Sequence, residues 1–218
     1  MKTINATIHT TLITSDDGLR TFEIIKKIDD CKGDSAYIIS LYPTRCEQNI
    51  YNSDVTINYL VGRMTELDIN ELHIINLYSK VVNGKMSVRG LQIDEENMSY
   101  INNLMNDSKF QSSKFIIAWG SSFQSSSAIN ESKYKILQMY IENTKKSKAY
   151  QLSACGKSFD NDNMMHPLYI GIRCPNPWAL KEFKITDNML NEYKLKSKKS
   201  SQNSNKPSVS SAPTVKLK

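Results

Sequence analysis

Few side chains in this 218-residue chain are suited to chemistry, and their types restrict what it can do. The sequence holds three histidines, His9, His73 and His166, so any scheme that needs an imidazole must draw on one of them. His166 stands in His166-Pro167-Leu168, either as a turn residue or as an isolated proton donor. Tyr42 precedes Pro43, and a phenol with an ordinary pKa near ~10 is neutral at pH 7, offering neither a carboxylate's charge nor its ready proton acceptance. The pair also reads simply as a strand closed by a rigid turn. Asp54 lies eleven residues beyond Pro43, either as a carboxylate reaching the same rim or as a helix N-cap. Asn76 follows an apolar run, where its amide can satisfy a strand end locally. Gly120-Ser121-Ser122 could offer N–H groups and hydroxyls to a phosphate, or could cap a helix, and no GxxxxGK[ST] run accompanies it. Trp119 and Phe123 are candidates for the core or for stacking on a base. Cys31, Cys46, Cys155 and Cys174 show no CxxC spacing, and no histidine pair stands at zinc-site separation. Reduced thiols are the expectation, with no metal and no cofactor.

The elements that must hold these residues follow from hydrophobic period and punctuation. Two extended stretches around Ser15-Asp16-Asp17-Gly18 predict an N-terminal hairpin over 6–27. Ala36 to Leu41 (AYIISL), Leu72 to Leu77 (LHIINL), Lys114 to Trp119 (KFIIAW) and Ala149 to Leu152 read as short buried strands. Between them, Val55, Leu60, Val61, Met64 and Leu67 recur at helical spacing behind Asp54. A second helix is expected over Asp94 to Leu104 and a third around Ile136, Leu137, Tyr140 and Ile141. Strands alternating with helices predict an α/β fold of three layers: a central, mainly parallel four-stranded sheet with helices on both faces. Ligands of such sheets sit beyond the carboxyl ends of the strands. That rule puts Tyr42-Pro43-Thr44, Asn76-Leu77-Tyr78, Gly120-Ser121-Ser122 and the His166 loop on one rim. A single domain over 1–193 is expected, followed by a disordered Lys/Ser-rich tail over 194–218.

Four pieces on that rim, YIISLYPT, IINLYS, FIIAWGSS and HPLYI, resemble in order and placement the uracil-DNA glycosylase superfamily. More closely, they are similar to an uncharacterised bacterial domain family found in mobile genetic elements, including cassette chromosomes of Gram-positive bacteria. The resemblance covers about Tyr37 to Ile170 and implies a glycosylase-like fold. It implies a base pocket of Tyr42, Pro43, Asn76 and His166, with Asn76 reading a base edge through its paired donor and acceptor. It also implies DNA or inhibitor contacts at Ser121, Ser122, Pro167, Leu168 and Tyr169. The family's water-positioning acid or amide is replaced by Tyr42, and its longer His-Pro-Ser-Pro-Leu pattern is shortened to HPLY. These departures imply a pseudoenzyme with no intact catalytic set, whose partners are DNA or the small acidic proteins that inhibit uracil-DNA glycosylases by mimicking DNA. The alternative is an active glycosylase acting on a modified base through Asp54 or His166.

Charge narrows the partners. The chain has 28 Lys+Arg against 22 Asp+Glu, a net +6, but the last acidic residue is Glu192 and seven lysines follow it. Without them, 21 basic residues face 22 acidic ones, a net of −1. The body therefore lacks the basic footprint of a protein that grips duplex phosphates, and any weak DNA affinity is expected from the tail. No run of roughly 18 apolar residues is present, so membrane insertion is disfavoured and a cytoplasmic location is expected.

Overall fold

The computed structural model describes residues 1–29, 31–44, 50, 54–144, 148–154, 166–174 and 177–198. Among them, seven strands form one mixed sheet, β1 (Ile8–Thr14), β2 (Thr21–Ile28), β3 (Asp34–Ser40), β4 (Ile69–Asn76), β5 (Lys114–Ile117), β6 (Ala149–Ala154) and β7 (Trp178–Glu182). The helices are α1 (Val55–Val61), α2 (Glu95–Met105), α3 (Ser108–Gln111), α4 (Ser127–Asn143), α5 (Pro167–Arg173) and α6 (Asp187–Lys198).

The spatial order is β1-β2-β4-β3-β5-β6-β7. Pairing is antiparallel for β1/β2, β2/β4 and β6/β7 and parallel for β4/β3, β3/β5 and β5/β6. The expected mainly parallel, four-stranded sheet is thus corrected to a mixed, seven-stranded one. The physical reason is that the hairpin does not stand apart. β2 is buried along most of its length and pairs with β4, so the hairpin extends the sheet. At the opposite edge β7 was missed, because WALKE is short and mostly polar or exposed on an edge strand.

Side chains alternate across the sheet with the period of two that strands impose. Tyr37, Ile39, Ile75, Leu77, Phe115, Ile117 and Trp119 join residues of α2, α3, α4 and α6 in one core. Ala36, Ile38, Leu72, Ile74, Ile116 and Ala118 join Ile57, Leu60 and Ile170, from α1 and α5, in the other. Helices therefore cover both faces.

Helix starts are set by side-chain caps. Asp54, Asp94 and Ser126 accept from Ile57 N, Asn97 N and Ile129 N respectively, satisfying N–H groups that have no intrahelical partner. Helix α6 carries the chain to Lys198, five residues into the stretch expected as tail from Lys194, because Met189 and Tyr193 are buried against the core. The rest of that stretch, 199–218, lies outside the described residues.

Candidate functional site

Topology chooses the site. From β3 the chain crosses to β4 by α1 on one face, whereas from β5 it crosses to β6 by α4 on the other. Because β3 and β5 are neighbours, their carboxyl ends part in opposite directions and leave a crevice, the usual ligand position in open α/β sheets. A cavity of about 370 Å³ lies there, within the range that accommodates small ligands.

Its floor is the ends of three strands held in register. Ser40 pairs with Asn76, Leu77 N donates to Ser40 O at 3.0 Å, and Ala118 N donates to Ile39 O at 2.9 Å. Asn97, wholly buried on α2, donates to the Asn76 carbonyl at 2.8 Å and fixes the end of β4. Asn76 itself is 3% exposed and lines the cavity, yet its carboxamide has no hydrogen-bond partner among the described residues. Its side-chain atoms are not among the fully buried ones that lack a partner, so the amide keeps access to the cavity. An open amide on a cavity wall is a group waiting for a ligand's donor and acceptor.

The strand-end Trp-Gly and the late His-Pro pieces meet. Trp119 is fully buried and anchors the turn, and Gly120 adopts φ +69°, in the left-handed region. A side chain placed on Gly120 would have its Cβ 3.0 Å from His166 Cβ, so the glycine lets the histidine approach. His166 caps α5, its Nδ1 accepting from Leu168 N at 3.2 Å. Nδ1 is thereby assigned as the acceptor, which leaves Nε2 to carry the proton of the neutral ring. Burial lowers the pKa of His166 below its usual value, with the nearby Asp54 carboxylate opposing that shift, so the ring is neutral at pH 7. Behind it, α5 packs on α1 so closely that a Cβ at Gly171 would stand 2.3 Å from the Tyr59 ring.

Asp54 combines both roles considered for it. It caps α1 by accepting from Ile57 N at 2.8 Å through Oδ1, it accepts from Thr44 Oγ1 through Oδ2, and it lines the cavity. Tyr42 forms part of the wall and leaves the cavity open beside it. Its hydroxyl donates a long hydrogen bond, 3.5 Å, to the Gly84 carbonyl, and its ring packs against the core on the α2/α4 side.

Of the site residues that the resemblance implies, together with Asp54, the residues Tyr42, Pro43, Asp54, Asn76, Ser122, His166 and Leu168 share this one cavity. Three do not reach its wall. Ser121 is exposed, Pro167 is buried at the first turn of α5, and Tyr169 is 44% exposed with the Arg173 guanidinium 4.8 Å from its ring centre. The connection from β4 to α2, for which the sequence offers no candidate beyond Tyr78, contributes Lys85 to the wall. Ser40, a strand residue in the sequence pattern, is 7% exposed and lines the cavity, and its hydroxyl has no partner among the described residues.

A second, wider cleft of about 580 Å³ lies near Arg20, Tyr78, Met86, Leu91 and Asp94. Its chief polar groups are bound to one another. Arg20 pairs with Asp94 at 2.9 Å and with Glu96 at 3.0 Å, and Asp94 also accepts from Ser79 N and Ser79 Oγ. The smaller cavity is therefore the better candidate.

Lys26 is 6% exposed, and its Nζ donates to Thr10 Oγ1 at 2.8 Å. Cys31 and Cys174 are free and partly buried, while Cys46 and Cys155, and Lys145 and Lys146, lie outside the described residues. Among the described residues no three His, Cys, Asp or Glu side chains gather as a metal site, and no helix is long and apolar enough to cross a membrane.

No curated protein and no solved structure matches the chain. Residues 23–168 match the family described as Protein of unknown function (DUF1643), an interval that runs from the buried Glu23 of β2 to Leu168 on the cavity wall. Since that interval is about two thirds of its length, the chain belongs to the DUF1643 family.

Proposed function

We propose that the chain is a glycosylase-like protein that has kept a nucleobase pocket and lost efficient base excision. The observation that carries this reading is the open carboxamide of Asn76, 3% exposed on the wall of a 370 Å³ cavity. An amide presents one donor and one acceptor side by side, the pattern that complements a base edge. Tyr42, Phe123 and Leu168 supply flat or apolar surface around it, and neutral His166 adds a ring nitrogen.

Excision of a base requires a water to be positioned and the cationic sugar to be stabilised. Where the resemblance calls for an acid or amide, Tyr42 offers a phenol turned toward Gly84. Asp54 is the carboxylate on this wall, and both of its oxygens already accept hydrogen bonds from the protein. The ligands we assign by resemblance are DNA, or a small acidic protein that mimics DNA and grips the Leu168 region, in a cytoplasmic setting. We expect no uracil release from single-stranded uracil-containing DNA, together with a stable complex with a DNA-mimicking glycosylase inhibitor on gel filtration. Robust release of uracil would overturn the proposal.

One observation favours a second reading, an active enzyme on a modified base: Asp54 and His166 line the same cavity. That reading requires excision from some member of a panel of modified duplexes, lost in Asp54→Asn.

A further inference from the structure

The cavity wall includes one lysine. Lys85 is exposed and makes no ion pair among the described residues, and the other ionisable wall groups bring no positive charge. His166 is held neutral by burial, and the Asp54 carboxylate is engaged by Thr44 and Ile57 N. An unpaired ammonium at the mouth of an apolar cavity needs an anionic partner to be more than a solvated surface charge.

The placement of Lys85 is built rather than incidental. Its preceding residue, Gly84, takes φ +98°, and its carbonyl accepts from Tyr42 Oη. The following residue, Met86, is 7% exposed in the core. Two residues before Gly84, Val82 N donates to Pro43 O at 3.0 Å, which ties the loop to the turn that ends β3. The phenol that displaces a catalytic acid at position 42 thus helps to hold a cation over the pocket. The same wall carries Ser122, with a hydroxyl, and Phe123, held at φ +58°, a left-handed conformation that costs a bulky residue of order 1–3 kcal/mol. That strain keeps an aromatic face on the cavity wall.

We propose that the cavity is built for a nucleotide rather than a bare base, with the Lys85 ammonium receiving a phosphate ester whose base enters against Asn76. The inference rests on the base-pocket reading and extends it to the ligand's charge. Phosphate of this kind comes either from a free nucleoside monophosphate or from a single strand, and the recognising chemistry is the same.

Titration calorimetry on the full chain at low salt separates these cases, with deoxyuridine, deoxyuridine 5′-monophosphate and a short single-stranded deoxyuridine oligonucleotide as probes. One charge-assisted hydrogen bond predicts that a phosphate-bearing probe binds about tenfold more tightly than deoxyuridine. The gain of the phosphate-bearing probe over deoxyuridine should vanish in Lys85→Gln, an exposed and structurally mild change. It should also shrink in high salt. A gain with the monophosphate assigns a free nucleotide, and a gain with the oligonucleotide alone assigns a strand. If deoxyuridine binds but phosphate adds nothing, or if the gain survives Lys85→Gln, the nucleotide inference is wrong and the base pocket stands. If deoxyuridine itself does not bind, the base-pocket reading falls, and the nucleotide inference with it.

Discussion

Asn76 separates recognition from stability. Its amide lines the cavity and makes no hydrogen bond within the described residues, so the fold does not depend on it. Asn76→Leu should therefore preserve or raise the melting temperature while abolishing nucleobase binding; a drop of several degrees would show that the amide is structural. His166 gives the site a pH dependence. Burial puts its folded pKa below the ordinary 6.5, so below that pH the unfolded chain binds the extra proton more readily than the folded one. Stability should be flat above pH 6.5 and fall as the pH is lowered through 6.5 toward the folded value, with part of that slope removed in His166→Asn. Equal slopes in unfolding curves of the two proteins would refute the assignment. A third cluster is purely structural. Glu23 Oε1 lies 2.5 Å from His73 Nδ1, and Tyr100 Oη donates to Glu23 Oε2 at 2.5 Å, which joins β2, β4 and α2 inside the protein. His73 Nε2 lies 3.2 Å from Glu71 Oε1 without hydrogen-bond geometry. Burial, reinforced by the neighbouring Glu23, raises the Tyr100 pKa and keeps its phenol a donor. Removing Glu23 leaves the others buried and unmatched, so Glu23→Ala should cost about 3–5 kcal/mol in urea unfolding. A cost below ~1 kcal/mol would mean that the network relaxes freely.

At the scale of elements, what was legible in the sequence is what local chemistry determines. Asp54 and Asp94 announced α1 and α2 because an acidic cap before an apolar period is a local device, and the Asp-Gly turn announced the hairpin. Helix α5 was not legible. It has seven residues with Gly171 in its interior, a poor helix by propensity, and it exists because Gly171 fits the Tyr59 ring of α1. Helix α6 was hidden by the opposite problem. Its lysines read as tail, and the burial of Met189 and Tyr193 that holds it depends on a core assembled from distant segments. Lys85 escaped notice for a similar reason, since its place at the cavity follows from Tyr42 and Pro43, more than forty residues away. The α1/α5 contact carries a prediction of its own. A methyl group on Gly171 must displace the Tyr59 ring and move His166 with α5, so Gly171→Ala should cost about 1–3 kcal/mol and weaken ligand binding beyond that of Ile172→Ala, an exposed neighbour. Equal binding by the two variants would mean that α5 does not position the site.

At the scale of the molecule, charge and cavity are separate resources. Residues 199–218 hold four of the lysines, and removing them leaves 24 basic against 22 acidic residues. Trimming there, beyond the packed end of α6, should lower the salt dependence of any DNA binding without altering binding of a free nucleoside. The parallel strands β4, β3 and β5 deliver Asn76, Tyr42 and the Trp-Gly turn to one crevice, and the added antiparallel strands widen the platform that holds them. The claim on which everything else depends is that this crevice takes a nucleobase through Asn76. Heteronuclear NMR of the full chain titrated with uracil tests it most directly. The account predicts saturable shifts of the Asn76 side-chain NH₂ and of the Phe123 and Leu168 amides, absent in Asn76→Leu. Unmoved Asn76 resonances at millimolar uracil, or the same shifts in Asn76→Leu, would contradict it.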